Sequence, residues 1–334
     1  MATVRVLHFG LGPIGAAIVK QVAARKGFKI VGAVDIDPAK VGRDLGKVVG
    51  IDKRIGVKVS DDARKALKES QPDVVMLCTA SSIAKIIPQV EAIVKAKVPI
   101  VSTTEELSYP WFSHKKEAKI IDELARKGKV AILGTGVNPG FAMDALAITL
   151  TAVCERVDSI TINRVQDARV RRLPFQQKIG AGLTKEQFQK KVDDGSVRHV
   201  GLTESIAMIG DALGWKVDRI TDEIWPKIAT KTVESEFLAV DKGYVCGIIQ
   251  DGTGYVKGEP LIKLHMEAYL GARESYDSVE VIGSPTLKQK IAGGIHGDVA
   301  TASIAVNSIG KVLTATPGLH SMRSLALPSF FPGL

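Results

Sequence analysis

Two adjacent carboxylates, Glu105 and Glu106, follow a short apolar stretch that ends at Ser102. A carboxylate at the carboxyl end of a core strand is poorly suited to binding phosphate and well suited to proton transfer. The alternative interpretation is a solvated helix start, where acidic residues complement the helix dipole. The spacing therefore predicts one general base and one structural glutamate, and it leaves their order open.

A glycine-rich turn at residues 10–15 links an apolar strand to a helical pattern. Its first glycine permits a tight bend, its second lets a pyrophosphate approach the backbone, and its third lets the helix pack on the strand. A second predicted strand ends at Asp35, twenty residues beyond Gly15, where a carboxylate can bind ribose hydroxyls. The pattern predicts a dinucleotide site.

The next core strand, Asp73–Thr79, ends in small polar residues of the kind that lie under a bound cofactor. Asp35 would repel a 2′-phosphate, so NAD is favoured, while nearby Lys40 and Arg43 leave NADP open. A nicotinamide beside the glutamate pair would allow amine oxidation, in which the base deprotonates an ammonium ion. The predicted cofactor-binding residues are Gly10, Gly12, Pro13, Ile14, Gly15, Asp35, Thr79, Ala80, Ser81 and Thr103.

Strands and helices alternate through residues 1–140, which predicts an α/β domain with a Rossmann-type, doubly wound parallel sheet. Residues 141–296 carry longer, alternating strands, including one predicted at Ile228–Val240, and a predicted turn at 251–254. They indicate an α+β domain for substrate binding and dimerisation, with a largely antiparallel sheet. A last helix, capped by Asp298, is expected to return residues 297–334 to the first domain.

Three further side chains have types suited to substrate binding. Asn138 precedes Pro139 in a glycine-rich loop and offers both a donor and an acceptor, although it can equally stabilise a turn. Arg164 ends an apolar strand and can hold a carboxylate in a bidentate manner. His265 lies within a strand and is as readily a structural histidine.

Composition excludes several classes of protein. The 334 residues carry a net charge of +9, but the basic residues are scattered over amphipathic helices without aromatic interleaving, so no nucleic acid partner is expected. No segment is apolar enough for a membrane span or a signal peptide, so we expect a cytoplasmic protein. Three dispersed cysteines and the absence of a His/Cys cluster predict neither disulfides nor a metal site.

Five segments together resemble the 2,4-diaminopentanoate dehydrogenases and related native amine dehydrogenases, whose fold is like that of dihydrodipicolinate reductase. The resemblance spans nearly the whole chain. The glycine turn alone is unspecific, whereas the later segments together are specific. The segments are residues 10–15, 102–107, 136–141, 171–180 and 295–298.

The resemblance implies reversible oxidative deamination of 2,4-diaminopentanoate to 2-amino-4-oxopentanoate and ammonia, with NAD or NADP, as in ornithine degradation. It places the catalytic base at Glu105, although Glu106 is not excluded. It implies a small amine and ammonia as partners. The sequence leaves the oligomeric state open, and a homodimer through the sheet of the second domain is the expectation. The implied substrate-binding residues are Asn138, Arg164, His265 and Thr301.

Two other functions are compatible with the dinucleotide motif. Dihydrodipicolinate reductase is one, but its His-His and Lys-x-Asp-x-Pro-Ser-Gly-Thr segment does not occur in the second domain. A dinucleotide-sensing protein without turnover is the other. The sequence leaves the exact amine, the stereochemistry and the physiological direction open.

Overall fold

The computed structural model describes residues 3–333 and divides into two compact units. The first unit comprises the chain up to Phe141 and from His296 onward, and the second unit comprises Ala142–Ile295. No helix within residues 3–333 is long and apolar enough to cross a membrane.

The strands and helices are numbered in chain order. The strands are β1 (Val4–Phe9), β2 (Phe28–Val34), β3 (Val59–Ser60), β4 (Val74–Leu77), β5 (Ile100–Ser102), β6 (Ala131–Gly134), β7 (Arg156–Asp167), β8 (Val217–Ile228), β9 (Val233–Glu234), β10 (Ala239–Val240), β11 (Val245–Val256), β12 (Glu259–Tyr269), β13 (Tyr276–Ser284), β14 (Leu287–Ala292) and β15 (Gly318–His320). The helices are α1 (Pro13–Ala24), α2 (Leu45–Val49), α3 (Ala63–Ser70), α4 (Ile83–Lys95), α5 (Lys115–Gly128), α6 (Ala145–Thr151), α7 (Leu173–Lys178), α8 (Lys185–Asp193), α9 (Leu202–Ala212) and α10 (Gly297–Leu313).

The first unit is built on a seven-stranded sheet in the order β15-β6-β5-β4-β1-β2-β3. All its strand pairs are parallel. Strand β4 is buried at all four positions, because a parallel sheet is covered by helices on both faces. The doubly wound parallel sheet predicted from the sequence is confirmed. Strand β15, which the sequence did not predict, extends it beyond β6.

The second unit is built on a six-stranded sheet in the order β14-β13-β7-β12-β11-β8. Only the pair β7–β12 is parallel among these neighbours, so the predicted, largely antiparallel sheet is also confirmed. Along β12, Leu264 and Met266 are buried, whereas Lys263 and His265 are not. Because side chains along a strand alternate between the two faces of a sheet, this burial pattern shows that one face is covered and the other is open. Helices cover the buried face.

Two local predictions in the second unit are wrong. The expected strand Ile228–Val240 is in fact the end of β8 followed by the two-residue strands β9 and β10. The expected turn at 251–254 lies inside β11. Its glycines serve close packing instead, because a Cβ on Gly252 or Gly254 would come within 2.9 or 2.4 Å of Ile206 on α9.

The start of α10 also differs from the expectation. The N-cap is His296, whose Nδ1 accepts a hydrogen bond from the N–H of Val299 at 3.5 Å, and Asp298 lies in the first turn. The predicted helix is therefore present but begins one residue before Asp298. An acidic side chain in the first turn still complements the helix dipole.

Candidate active site

The glycine turn has the geometry that a dinucleotide requires. Gly10 has φ +93°, and a Cβ there would lie 2.5 Å from the carbonyl oxygen of Cys78. A Cβ on Gly15 would lie 2.0 Å from the carbonyl oxygen of Gly10, so both positions need glycine. Gly12, by contrast, has no atom within 4 Å of its Cβ position. This open backbone, directly before α1 begins at Pro13, fits a pyrophosphate at a helix N-terminus.

Asp35 follows β2 and is bound from three sides. Its Oδ2 accepts hydrogen bonds from the Leu11 N–H at 2.8 Å and from Lys40 Nζ at 3.1 Å, and its Oδ1 accepts one from the Asp37 N–H at 2.9 Å. Burial alone would raise the pKa of Asp35, but the two N–H groups and Lys40 lower it overall. The carboxylate therefore stays ionised, anchors the glycine turn and is paired with a cation.

The polar residues after β4 are fixed by hydrogen bonds. The Thr79 hydroxyl donates to Gln89 Oε1 at 2.6 Å, and the Ala80 carbonyl accepts from the Thr104 hydroxyl at 2.8 Å. The carbonyl of Ser81 accepts from the Glu106 N–H at 3.2 Å. These bonds connect the segment after β4 to α4 and to the segment after β5.

Thr103 contacts a half-buried cysteine, Cys78. Its N–H donates to the Leu77 carbonyl at 3.2 Å, and it is hydrogen-bonded to Cys78. Burial raises the pKa of Cys78 to about 11. A raised pKa favours the protonated thiol, as is usual for a free structural cysteine.

The glutamate pair divides into two different roles. Glu106 Oε2 accepts a hydrogen bond from the N–H of Ile83 at 2.8 Å, at the first turn of α4. The N-cap residue Ser82 makes no side-chain capping bond, so Glu106 takes over that task. Glu105 opens a short 3₁₀ turn after β5, and within residues 3–333 no hydrogen bond or ion pair engages its half-buried carboxylate.

Asn138 and Thr301 are brought together in the first unit. Asn138 is 8% exposed and precedes a cis peptide bond to Pro139, in the loop after β6. Thr301 lies in the first turns of α10, and its hydroxyl accepts a hydrogen bond from the Val137 N–H at 3.4 Å. The final helix thus supports the loop that carries Asn138.

Arg164 and His265, in contrast, lie on opposite faces of the second sheet. Arg164 pairs in register with Met266 on the covered face, and Asn163 pairs with His265 on the open face. Because side chains alternate along a strand, the two predicted ligands cannot form one clamp. The assignment of Arg164 and His265 as substrate-binding residues stays a prediction.

Both residues also have protein partners. Arg164 is 2% exposed, forms an ion pair with Asp277 and donates to the Ile295 carbonyl at 2.8 Å. The His265 ring nitrogens lie 2.6 Å from Asp251 Oδ1 and 3.2 Å from Glu267 Oε1. The part of the chain described here contains no group of three His, Cys, Asp or Glu side chains that could hold a metal ion.

A groove of about 560 Å³ in the first unit was not anticipated from the sequence. It opens beside the end of β1 and is walled by Gln89, the partner of Thr79. No sequence motif marks it, because its walls come from three elements distant in the chain. The residues lining it are Phe9, Asp61, Asp62, Ala63, Arg64, Pro88, Gln89 and Ala92.

The fold and this site define a dehydrogenase of the dihydrodipicolinate reductase type, with a nicotinamide dinucleotide as the cofactor class. Residues 4–135 match the family model for the dihydrodipicolinate reductase N-terminus. Residues 141–333 match the model for the 2,4-diaminopentanoate dehydrogenase C-terminal domain. The chain therefore belongs to the 2,4-diaminopentanoate dehydrogenase family, and the predicted family and oxidoreductase class are confirmed.

One curated relative agrees with this assignment, and two solved structures share the fold. A 2,4-diaminopentanoate dehydrogenase of Acetoanaerobium sticklandii is 33% identical, over 100% of this chain and 96% of that protein. The structure of an amine dehydrogenase from Mycobacterium smegmatis matches with a TM-score of 0.87 at 23% identity, covering 99% of this chain and 98% of that one. A myo-inositol dehydrogenase from Lactobacillus casei, in complex with NAD(H), shares the fold at a TM-score of 0.58 and 14% identity, covering 96% and 89%.

Proposed function

We propose that this protein catalyses the reversible oxidative deamination of 2,4-diaminopentanoate to 2-amino-4-oxopentanoate and ammonia, with Glu105 as the base. The observation that carries the proposal is the division of labour within the glutamate pair. The Glu106 carboxylate caps the N-terminus of α4, whereas the Glu105 carboxylate has no partner in residues 3–333. A carboxylate kept ready at the carboxyl edge of a dinucleotide-binding sheet is suited to proton transfer.

Each step follows from residues of this chain. Glu105 removes a proton from the substrate ammonium group, which leaves a neutral amine with a lone pair on nitrogen. A bound nicotinamide would supply the acceptor for the hydride that leaves the adjacent carbon. Glu105 passes its first proton to solvent and then takes a proton from the water that attacks the iminium carbon. It returns this proton to the nitrogen of the carbinolamine, and ammonia leaves as the hydroxyl proton is lost to Glu105 and the ketone forms.

We assign dinucleotide binding to residues 1–140 and 297–334, and substrate binding and oligomerisation to 141–296. The phosphates would lie at the open backbone of Gly12 and the start of α1, with Asp35 near the adenosine ribose. NAD is the proposed cofactor. Lys40, 3.1 Å from Asp35 Oδ2, offers a positive charge that also allows NADP.

Substrate recognition is assigned to Asn138 with its support Thr301, and to the charge of Arg164. Since Asp277 and the Ile295 carbonyl already bind the Arg164 guanidinium, we propose that Arg164 contributes a fixed positive charge to substrate recognition. His265 is assigned to the network on the open face with Asp251 and Glu267.

A homodimer through the open face of the second sheet is proposed as well. That face presents large apolar side chains to solvent, such as Trp225 and Ile282, which are 43% and 39% exposed. Exposed apolar patches on a sheet commonly mark an interface. The metabolic setting we propose is ornithine degradation.

Replacement of Glu105 tests the proposed function. With Glu105→Gln, the rate of amine-dependent NADH formation should fall by about 10²- to 10⁴-fold, because the general base is lost. NAD binding, followed by quenching of protein fluorescence, should be retained.

Glu106→Gln is the matched control. It should keep the catalytic rate and lower the free energy of unfolding by about 1 kcal/mol, because the cap of α4 is weakened. A Glu105→Gln enzyme within tenfold of the wild-type rate would overturn the assignment. Dinucleotide binding without oxidation of any amine by the wild-type protein would favour the sensing function instead.

A further inference from the structure

A second groove in the first unit lies between α3 and α4 and has a volume of about 510 Å³. The buried members of its lining are Leu67, Pro72 and Val98, which form an apolar floor. Pro72 comes shortly before β4 and Val98 shortly before β5, so the groove lies at the amino ends of these strands. Dinucleotides bind beyond the carboxyl ends of such strands. This groove is therefore separate from the proposed cofactor site.

Four basic residues line the groove, and no acidic residue of the described chain does. All four are exposed, and none of their side chains forms an ion pair or a hydrogen bond within residues 3–333. Elsewhere in the first unit, the exposed residues Lys119 and Arg126 have carboxylate partners on their own helix, α5. The groove therefore concentrates positive charge that no carboxylate offsets. The four residues are Arg64, Lys68, Lys95 and Lys97.

Helix electrostatics accounts for only part of this arrangement. Lys68 and Lys95 lie in the last turns of α3 and α4, where a cation complements the helix dipole. Arg64, however, lies in the first turn of α3, where a cation is unfavourable. Arg64 and Lys68 are also one helical turn apart, and like charges at this spacing repel each other. An anion bound in the groove would offset this repulsion.

Two residues that line the groove keep a side chain at a position that favours glycine. Gln71 at the end of α3 has φ +43°, and Lys97 just after α4 has φ +58°. Residues other than glycine are uncommon in this left-handed conformation, and helices often end in a glycine there. Both helix ends thus present a polar side chain to the same groove, an amide from α3 and an ammonium group from α4.

The remaining lining residues leave space for a flat apolar group. Ala92 and Ala96 form the α4 side of the groove and have small side chains. The volume of the groove is in the range of small-molecule sites, which combine an apolar surface with a few polar groups. The Gln71 amide offers both a donor and an acceptor at the edge of this space. The groove therefore combines a surface for an aromatic ring with cations on both sides.

We propose that this groove binds a nucleoside triphosphate in addition to the nicotinamide cofactor. The base lies on the apolar floor, where the Gln71 amide hydrogen-bonds to its edge. Lys68, Lys95 and Lys97 hold the phosphates, because ammonium groups on flexible side chains reach several phosphate oxygens. The proposal concerns a separate site and does not depend on the proposed deamination.

Calorimetric titration of ATP into protein saturated with NADH tests the proposal. NADH fills the cofactor site, and its fluorescence reports whether it stays bound. ATP should bind without releasing NADH. Tripolyphosphate has the charges without the base and should bind about tenfold more weakly, whereas adenosine has the base without the charges and should show no binding.

A double variant locates the site. Lys68→Gln with Lys95→Gln removes one charge from each side of the groove and should raise the Kd for ATP about tenfold. The matched control is Lys65→Gln with Lys85→Gln, which removes two exposed charges from the same helices outside the groove. The control should keep the wild-type Kd. Because all four lysines are exposed, both variants should keep the wild-type unfolding temperature.

Three results would overturn the proposal. The first is a wild-type protein that binds no ATP or binds it only by releasing NADH. The second is an equal Kd in the groove variant and the control, because ATP would then respond only to net charge. The third is tripolyphosphate that binds as tightly as ATP, because the apolar floor would then contribute nothing. No amine substrate is needed, so an inactive dehydrogenase would leave each of these results decisive.

Discussion

The two sheets bury a titratable side chain in opposite ways. His8 on β1 is 1% exposed, and neither ring nitrogen has a hydrogen-bond partner in the described chain. Burial lowers its pKa to about 3, so it is a neutral core residue. Arg164 on β7 is as deeply buried but remains charged, because Asp277 and the Ile295 carbonyl bind it. A buried base adapts by losing its proton, whereas a buried guanidinium requires a partner.

The largest expected effect comes from removing that partner. Asp277→Asn leaves the Arg164 charge buried and uncompensated, so the free energy of unfolding should fall by about 3–5 kcal/mol. Urea denaturation measures this. Asp158→Asn, which breaks an exposed pair with Arg156 at 2.9 Å, is the control and should change little. Equal free energies of unfolding for the two variants would show that the buried Arg164 charge does not depend on Asp277.

Acidification probes His8. Between pH 6.5 and 3 the unfolded chain binds a proton that folded His8 does not, so the free energy of unfolding falls as the pH falls through this window. The loss from His8 at pH 4.5 should be roughly 2–3 kcal/mol. His8→Leu should reduce the difference in unfolding free energy between pH 7 and pH 4.5. An unchanged difference in His8→Leu would show that His8 does not stay neutral.

The smallest effect is expected at the part-exposed pair of Lys40 and Asp35. Lys40→Ala should raise the KM for NADP about fivefold, equivalent to ~1 kcal/mol, and the KM for NAD by less than twofold. Lys29→Ala, at the other end of β2, is the control. Parallel changes in both KM values would show that Lys40 supports Asp35 rather than a 2′-phosphate.

The sequence alone determined the features whose requirements are local. The turn at 10–15 follows from what three glycines allow, and the unbroken apolar run before Cys78 follows from burial on both faces. These signals lie within a few consecutive residues. They predicted the parallel sheet and the nicotinamide dinucleotide class of the cofactor correctly.

Tertiary structure decided everything that depends on a partner distant in the chain. Glu106 is the capping residue only because β5 brings it to α4, more than twenty positions away, whereas the Glu105 carboxylate has no such partner within residues 3–333. Gly252 lies within a strand because α9 packs on it. Arg164 and His265 look alike as candidate ligands, but their strand register places them on opposite faces. Such choices are made by packing between elements, and short sequence patterns do not encode that packing.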